Sequence, residues 1–556
     1  MKGDLRGSMI EQACLDDAEE ILLVINATNR EAYREEQMSV HRNVRFVLSM
    51  AIGWLLLAGL FLLLQGTSPV ARADPGRLFV STTGSDTACT RGHPCNLQTA
   101  LQQATDGDTI YVAAGTYTGT GAAVITITRS ITLYGGWDGS ASGPLVRDST
   151  AHPTTLDGEG QRRVAYIGRH ITVTMESLTV TNGLATDYGA GLYAQDTNLT
   201  LRHTIFYSNV ANSLTSINTL GGGAYLRAGS LHLISSTFRA NDACCNGCPS
   251  TQGGGLYIYG TLTATIENSL FEANDAWDGS GLMFDGGTRH PFLVRYTTFK
   301  DNGQGLSPGN GYGGYGSAMA LALVEALVED NTFVHNRAVN DAGAIRFSGG
   351  QLSLNRNLIA NNIAYVASGI QVWHASPFTM TNNIIVDNRP GFTRAGGVEV
   401  RSDSTGTMLH NTIARNVGSY GGYGIEVRSG MPITLVNNIL VGHTVGISVT
   451  AGNTATLEGT LWGTATWANE TDWGGAGSIS TGTVNIWSDP AFVNPESSDY
   501  HLASGSAAID AGVDAGVTTD IDGDPRPIGA GYDIGADEFK PALYLCLPVV
   551  LKDYAG

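Results

Sequence analysis

An apolar residue followed three positions later by asparagine recurs along most of this chain. The pairs are Phe206/Asn209, Phe238/Asn241, Phe271/Asn274, Phe299/Asn302, Phe333/Asn336, Ile359/Asn362, Ile385/Asn388 and Ile413/Asn416. Thr179/Asn182 opens the series, and Leu440/His443 closes it. Successive steps are 27, 32, 33, 28, 34, 26, 26, 28 and 27 residues. Such a period belongs to solenoids or propellers, and propeller blades need roughly 40 residues or more. Between successive asparagines, glycines run into a short apolar strand, as in "GAGLYA" from Gly189, "GGGAYL" from Gly221 and "GYGIEV" from Gly422. An alternating segment such as "NLTLRHT" or "QLSLNRN" precedes each apolar residue. Three short strands per period predict an all-β, right-handed parallel β-helix solenoid, in which equivalent positions stack about 4.8 Å apart. The Phe and Ile positions then form one buried column. The asparagines form a turn ladder, each amide bonding the next, at a place where the backbone is left-handed.

Composition agrees with this architecture. Glycine numbers 72 of 556 residues, and lysine occurs only at Lys2, Lys300, Lys540 and Lys552. Few helix formers and many β-branched residues suit short strands and tight turns. The net charge is −19; residues 1–73 hold 7 basic and 9 acidic side chains, leaving 24 against 41 in the remainder. So acidic a surface repels phosphate backbones and excludes nucleic acid as a partner.

The N-terminus carries a targeting signal. "FVLSMAIGWLLLAGLFLLL" at 46–64 follows His41, Arg42 and Arg45 and precedes "ARA" at 71–73, a small-x-small cleavage pattern. Residues 1–45 are an unusual leader, and Met38 would begin a signal of ordinary length. The segment 46–73 reads as a signal peptide or as a signal anchor helix, with membrane or cell-envelope attachment through the termini. Either way, residues 74–556 are exported. Cys89 and Cys95 are expected to close a small loop in that oxidising compartment, while the pairing of Cys244, Cys245, Cys248 and Cys546 stays open.

The "GGA" and "FxxN" motifs over 92–460 resemble polymorphic outer-membrane protein repeats and related pectate-lyase-like β-helix surface proteins. In that group, a stretch like "LQTALQQA" is a short helix covering the open N-terminal end, which implies an N-terminal cap here. "DPAFVNPESSDYHLASGSAAIDAGVDAGVTTDIDGDPRPIGAGYDIGADEF", residues 489–539, resembles the choice-of-anchor Q domain, which implies surface attachment. The expected organisation is a leader (1–45), signal or anchor (46–73), β-helix (74–488), anchor-like domain (489–539) and tail (540–556).

The sequence offers few groups for chemistry. Asp242 and Asp275 each follow a ladder asparagine on consecutive coils, and could form an acid pair or a calcium site; two solvated turn aspartates are the plainer alternative. Lys300 is the only lysine in the helix and could serve as a lyase base, but it adjoins core Phe299 and should point outward. Asp520, Asp522 and Asp524 alternate as in a calcium loop, so Ca2+ is the one cofactor suggested, although Pro525 stands where an EF-hand needs glycine. Long loops leave the corner after the ladder asparagines. Aromatics gather there, and Trp277, Tyr312 and Tyr315 are the candidate ligand-binding residues. Such rings either stack on sugars or fold down over the glycines to seal the corner.

Together these features predict an exported, surface-attached, non-catalytic β-helix that contacts a polysaccharide or cell-surface glycan. The alternative is a polysaccharide lyase or glycoside hydrolase acting on acidic polysaccharide. A dense charged cluster on one face would favour the enzyme; scattered charges with an aromatic ridge would favour binding.

Overall fold

The computed structural model describes residues 76–541 except 213–218, 245–250, 305–316 and 392–393. The segments expected to be leader and signal, Cys245, Cys248, Tyr312, Tyr315, Cys546 and the tail beyond 541 lie outside these residues. Among the described residues no helix is long and apolar enough to cross a membrane.

Residues 77–486 wind as a parallel β-helix. Every pairing between its strands is parallel, and each strand pairs with its equivalent on the next coil. The third strand of each coil carries the predicted core column. Phe206 pairs with Phe238, then Phe271, Phe299 and Phe333, followed by Ile359, Ile385, Ile413 and Leu440. The five rings are wholly buried and stack with centroids 4.5, 5.0, 4.9 and 4.8 Å apart. The first and second segments of a coil often join into one strand, as in Leu192–Arg202, which bends at left-handed Asp196 (φ 52°).

Two expectations need correction. Val180, not Thr179, pairs with Phe206, so the first repeat is displaced by one residue. Gly183 occupies the ladder position there and donates its N–H to Asn209 Oδ1. Asn182 is exposed and bonds Asp157 instead. The left-handed residue is also not the ladder asparagine but its predecessor: Ser208, Ala240, Ala273, Asp301, His335, Asn361, Asp387 and Arg415 have φ between 51° and 57°. The coil with two adjacent asparagines separates the roles. Asn361 takes the left-handed corner (φ 57°), whereas Asn362 does not, contrary to the expectation, and supplies the buried ladder amide. The reason is that the corner turns one residue early, which aims the next side chain into the coil. Asn182 shares the corner conformation (φ 50°), which is why it reads as an equivalent asparagine one place early.

The ladder works through its side chains. Asn241 Nδ2 donates to Asn274 Oδ1 and to the Phe206 carbonyl, and the Asn241 backbone N–H donates to the same Oδ1. This pattern repeats through Asn274, Asn302, Asn336, Asn362 and Asn388 to Asn416, and every amide from Asn209 onward is fully buried. His443 extends the column to Asn469, and burial lowers its pKa to about 4, keeping the ring neutral. A second ladder, which the sequence reading missed, lines the preceding corner. Thr204, Ser236, Ser269 and Thr297 run into Asn331, Asn357, Asn383, Asn411 and Asn438.

At the N-terminal end the helix Leu97–Gln103 buries Leu97 and Ala100, and Asn96 caps it by accepting the Thr99 N–H. Cys89 and Cys95 are disulfide-bonded beside this cap. At the other end, residues 489–541 do not continue the coils. They pack along the outer face of the third strands, where Phe492, Tyr500, Leu502, Ile534 and Ala536 meet Ile384, Val386, Ala414, Ile439 and Val441. Polar links fix the contact: Arg415 donates to Tyr500 Oη and Glu496, and Tyr500 donates to Asp387.

Candidate functional site

The outer face of the first strand presents one residue per coil in strict register. From the N-terminal side the column runs Tyr166, Tyr193, Tyr225, Tyr257, Met283, Ala320, Arg346, Gln371, Glu399 and Glu426. The tyrosines stack at 5.4, 5.3 and 5.6 Å between centroids. Tyr225 and Tyr257 are buried, Tyr188 lies flat on Tyr225 from the neighbouring corner, and Tyr166 and Tyr259 remain 37% exposed. Burial raises the Tyr225 hydroxyl pKa to about 12 and that of Tyr257 further still. At the corner, Tyr188, Leu220, Gln252 and Asp278 pair in sequence, so the bases of the long loops stack into a ridge beside the column. Column and ridge run side by side along the axis and pack on each other, Tyr188 and Leu220 against Tyr225 and Tyr257; this strip is the axial seam.

Beyond Ala320 the seam becomes charged. Arg346 reaches across the ridge to Asp278 (Nη1–Oδ2 2.5 Å) and lies 3.9 Å from Asp341. Gln371 Nε2 donates to Glu399 Oε2 at 2.7 Å. Arg428 Nη1 stands 3.6 Å from Glu399 and 4.0 Å from Glu426; Arg401 stands 3.8 Å from Glu399 and Arg394 3.6 Å from Glu426. Trp373 sits among them, stacked on His374 with Arg346 and Arg401 near its ring. Burial raises the pKa of Asp278, Asp341 and Glu426, with Glu399 repulsion adding to the effect on Glu426. Asp278 Oδ1, Gln371 Oε1, Glu399 Oε1 and Glu426 Oε2 are buried and receive no hydrogen bond. An unmet buried acceptor costs about 1–3 kcal/mol.

The residues singled out from sequence are dispersed by comparison. Asp242 and Asp275 do pair on adjacent strands, at the corner. Burial raises the Asp242 pKa from 3.8 to about 6. Its ionisation therefore opposes folding, a cost that begins above pH 3.8 and is complete above pH 6. Asp242→Asn is expected to stabilise the chain by about 3 kcal/mol near neutral pH and not at all below pH 3.8, read from urea unfolding at the two pH values. Lys300 points outward and pairs with Glu272 at 3.4 Å and Asp301 at 3.5 Å, remote from the seam column. Asp520 Oδ1 accepts the N–H groups of Asp522 and Asp524, Oδ2 accepts that of Glu538, and Asp524 pairs with Lys540. That arrangement is a hydrogen-bonded turn that also brings one carboxylate oxygen of each of the three aspartates within 4.8 Å of the others. Trp277 is half-buried at the ridge, one residue before Asp278. Tyr365 and Tyr420 are exposed, whereas Tyr188 folds down as a seal.

Residues 312–461 match the family model for the right handed beta helix region. Two solved structures are similar to the chain. Pectate lyase Pel9A is 13% identical with a TM-score of 0.29, covering 84% of this chain and 98% of that one. The periplasmic alginate epimerase AlgG is 11% identical with a TM-score of 0.32, covering 72% and 83%. No curated protein matches the chain. The pairing of every coil with the next and the family match agree on an all-β, right-handed β-helix solenoid.

Proposed function

We propose that this right-handed β-helix is an exported, envelope-attached protein that contacts a polysaccharide along its axial seam without cleaving it. One observation carries the reading: a single outward column, in register over ten coils, begins as stacked tyrosines and ends as a charged network. A column that repeats once per coil suits a linear polymer that repeats once per ring, and its open end, exposed Tyr166 and half-buried Tyr193, offers aromatic contact area at little entropic cost. The apolar run at 46–64 and the Cys89–Cys95 disulfide support export into an oxidising compartment. Residues 489–539 and the signal or anchor segment are the attachment elements in this reading. Trp277, Tyr312 and Tyr315 remain its proposed ridge contacts, and Ca2+ its one proposed cofactor, at Asp520, Asp522 and Asp524.

Binding fits better than catalysis because both acids are ion-paired with the guanidinium groups that cover them. Glu399 is wholly buried and Glu426 is 3% exposed, both beneath guanidinium groups. The second reading, a glycoside hydrolase or lyase, is favoured by those same two residues. They stack on adjacent coils, and burial together with the neighbouring carboxylate holds Glu426 above its ordinary pKa, as a general acid needs.

The test is to incubate the full chain with polygalacturonate, alginate and neutral glucans while measuring retention, reducing ends and unsaturated-product absorbance. Retention without product is expected. Product that disappears in Glu426→Gln would replace the binding reading with the hydrolytic or lytic one. Tyr166→Ala with Tyr193→Ala is expected to weaken retention about tenfold, or 1.4 kcal/mol, with an unchanged melting temperature. A large loss of stability would show that the rings seal the fold instead.

A further inference from the structure

We propose that the charged end of the seam, around Gln371, Glu399 and Glu426, takes a neutral, hydroxyl-rich sugar unit and not a uronate; this rests on the polysaccharide reading above. Gln371 and Glu399 are wholly buried and Glu426 is 3% exposed. One oxygen of each receives no hydrogen bond. This cluster of acceptors has not met its donors, and the buried Trp373 Nε1 nearby has not met an acceptor. The nearest cations, Arg394, Arg401 and Arg428, stand 3.6–4.0 Å from the carboxylates, ion-pair distances too long for hydrogen bonds. Their side chains are 42%, 31% and 35% exposed, so the cover consists of long, partly solvated heads that can swing aside.

A sugar diol fits the deficit. Its two hydroxyls donate to the carboxylates, and its oxygens accept from the displaced guanidinium groups. A uronate would instead bring a further carboxylate against two that already repel each other. Nor is there spare positive charge to hold it. Arg346 is taken by Asp278 and Asp341, so the network sets four carboxylates against four guanidiniums. A site that hydrogen-bonds hydroxyls rejects an analogue that leaves its polar groups unpaired.

The full chain, run in native gels containing mannan, dextran or polygalacturonate, tests this. Retardation by a neutral polymer is expected, with slowed hydrogen exchange in peptides covering 394–401 and 423–428. Glu426→Gln is expected to weaken that retardation at least tenfold; if this variant fails to fold, hydrogen exchange on the unaltered chain decides. Retardation by polygalacturonate alone would overturn the neutral-sugar inference and leave the polysaccharide reading standing. Retardation by none of them would remove both. Retardation by a neutral polymer without protection at 394–428 would place its site elsewhere and overturn the assignment.

Discussion

Asn302→Ala is expected to lower the unfolding free energy by about 4 kcal/mol. The side chain sits at the middle of the ladder and closes four bonds. Its Oδ1 accepts the Asn274 backbone N–H and Asn274 Nδ2; its Nδ2 donates to the Phe271 carbonyl and to Asn336 Oδ1. Alanine removes the middle of this chain and leaves the partners behind in a site with no exposure to water. The penalty is that of stranded buried groups, roughly 1–3 kcal/mol each, and not the smaller net value of an exchanged hydrogen bond. Urea unfolding followed by far-UV circular dichroism is the measurement. Asn182→Ala is the matched control, because that side chain is exposed and outside the ladder. Its unfolding free energy should fall by only about 1 kcal/mol, the cost of placing alanine at that left-handed corner (φ 50°). Equal effects at the two positions would mean that the ladder bonds contribute little.

A chain ending at Ser488 is expected to aggregate. The outer face of the third strands is polar on the early coils, with Arg239, Glu272 and Lys300, and apolar on the later ones, with Val334, Ala360, Val386, Ala414 and Val441. The apolar part is where residues 489–541 lie. Uncovering Ile384, Val386, Ile439, Val441 and Leu461 forfeits on the order of 10 kcal/mol of burial, at about 1.5–3 kcal/mol for each side chain. It also leaves a contiguous apolar stripe on a long sheet. Light scattering and size exclusion should show association, and a hydrophobic dye should bind. A monodisperse, dye-silent truncation would show that the helix is complete without this segment.

The core was legible in the sequence because each coil places the same residue type in the same environment. Phe271 and Asn274 reveal themselves by being repeated. The first coil was misread for a physical reason: Gly183 fills the ladder position with a backbone N–H alone, and the left-handed corner before it holds another asparagine. The pair Asn361 and Asn362 shows how close the two roles lie, since the same residue type serves the corner and then the ladder. The second ladder escaped because Thr, Ser and Asn all perform its task, so the role repeats while the letter changes. The seam was harder still. Arg346, Gln371, Glu399 and Glu426 share a register but no chemistry, and only the strand alignment brings them into one column. The apolar stripe was readable in principle. The residue after each core position changes from Arg, Glu and Lys to Val and Ala at Val334, which announces a covering element.

The ladder amides all point one way. Each asparagine, from Asn209 to Asn388, donates to the asparagine of the following coil, and each from Asn241 onward accepts from the one before. A coil that has just closed therefore displays, at this corner, a side-chain N–H and a backbone N–H with nothing yet to receive them. The oxygen that receives both arrives about 26–34 residues later in the chain. Side-chain demand thus runs from the N-terminus towards the C-terminus, the direction in which a ribosome delivers the polypeptide. Every finished turn is a mould for its successor, and the growing edge of the helix is specified by donors waiting for the next asparagine to emerge.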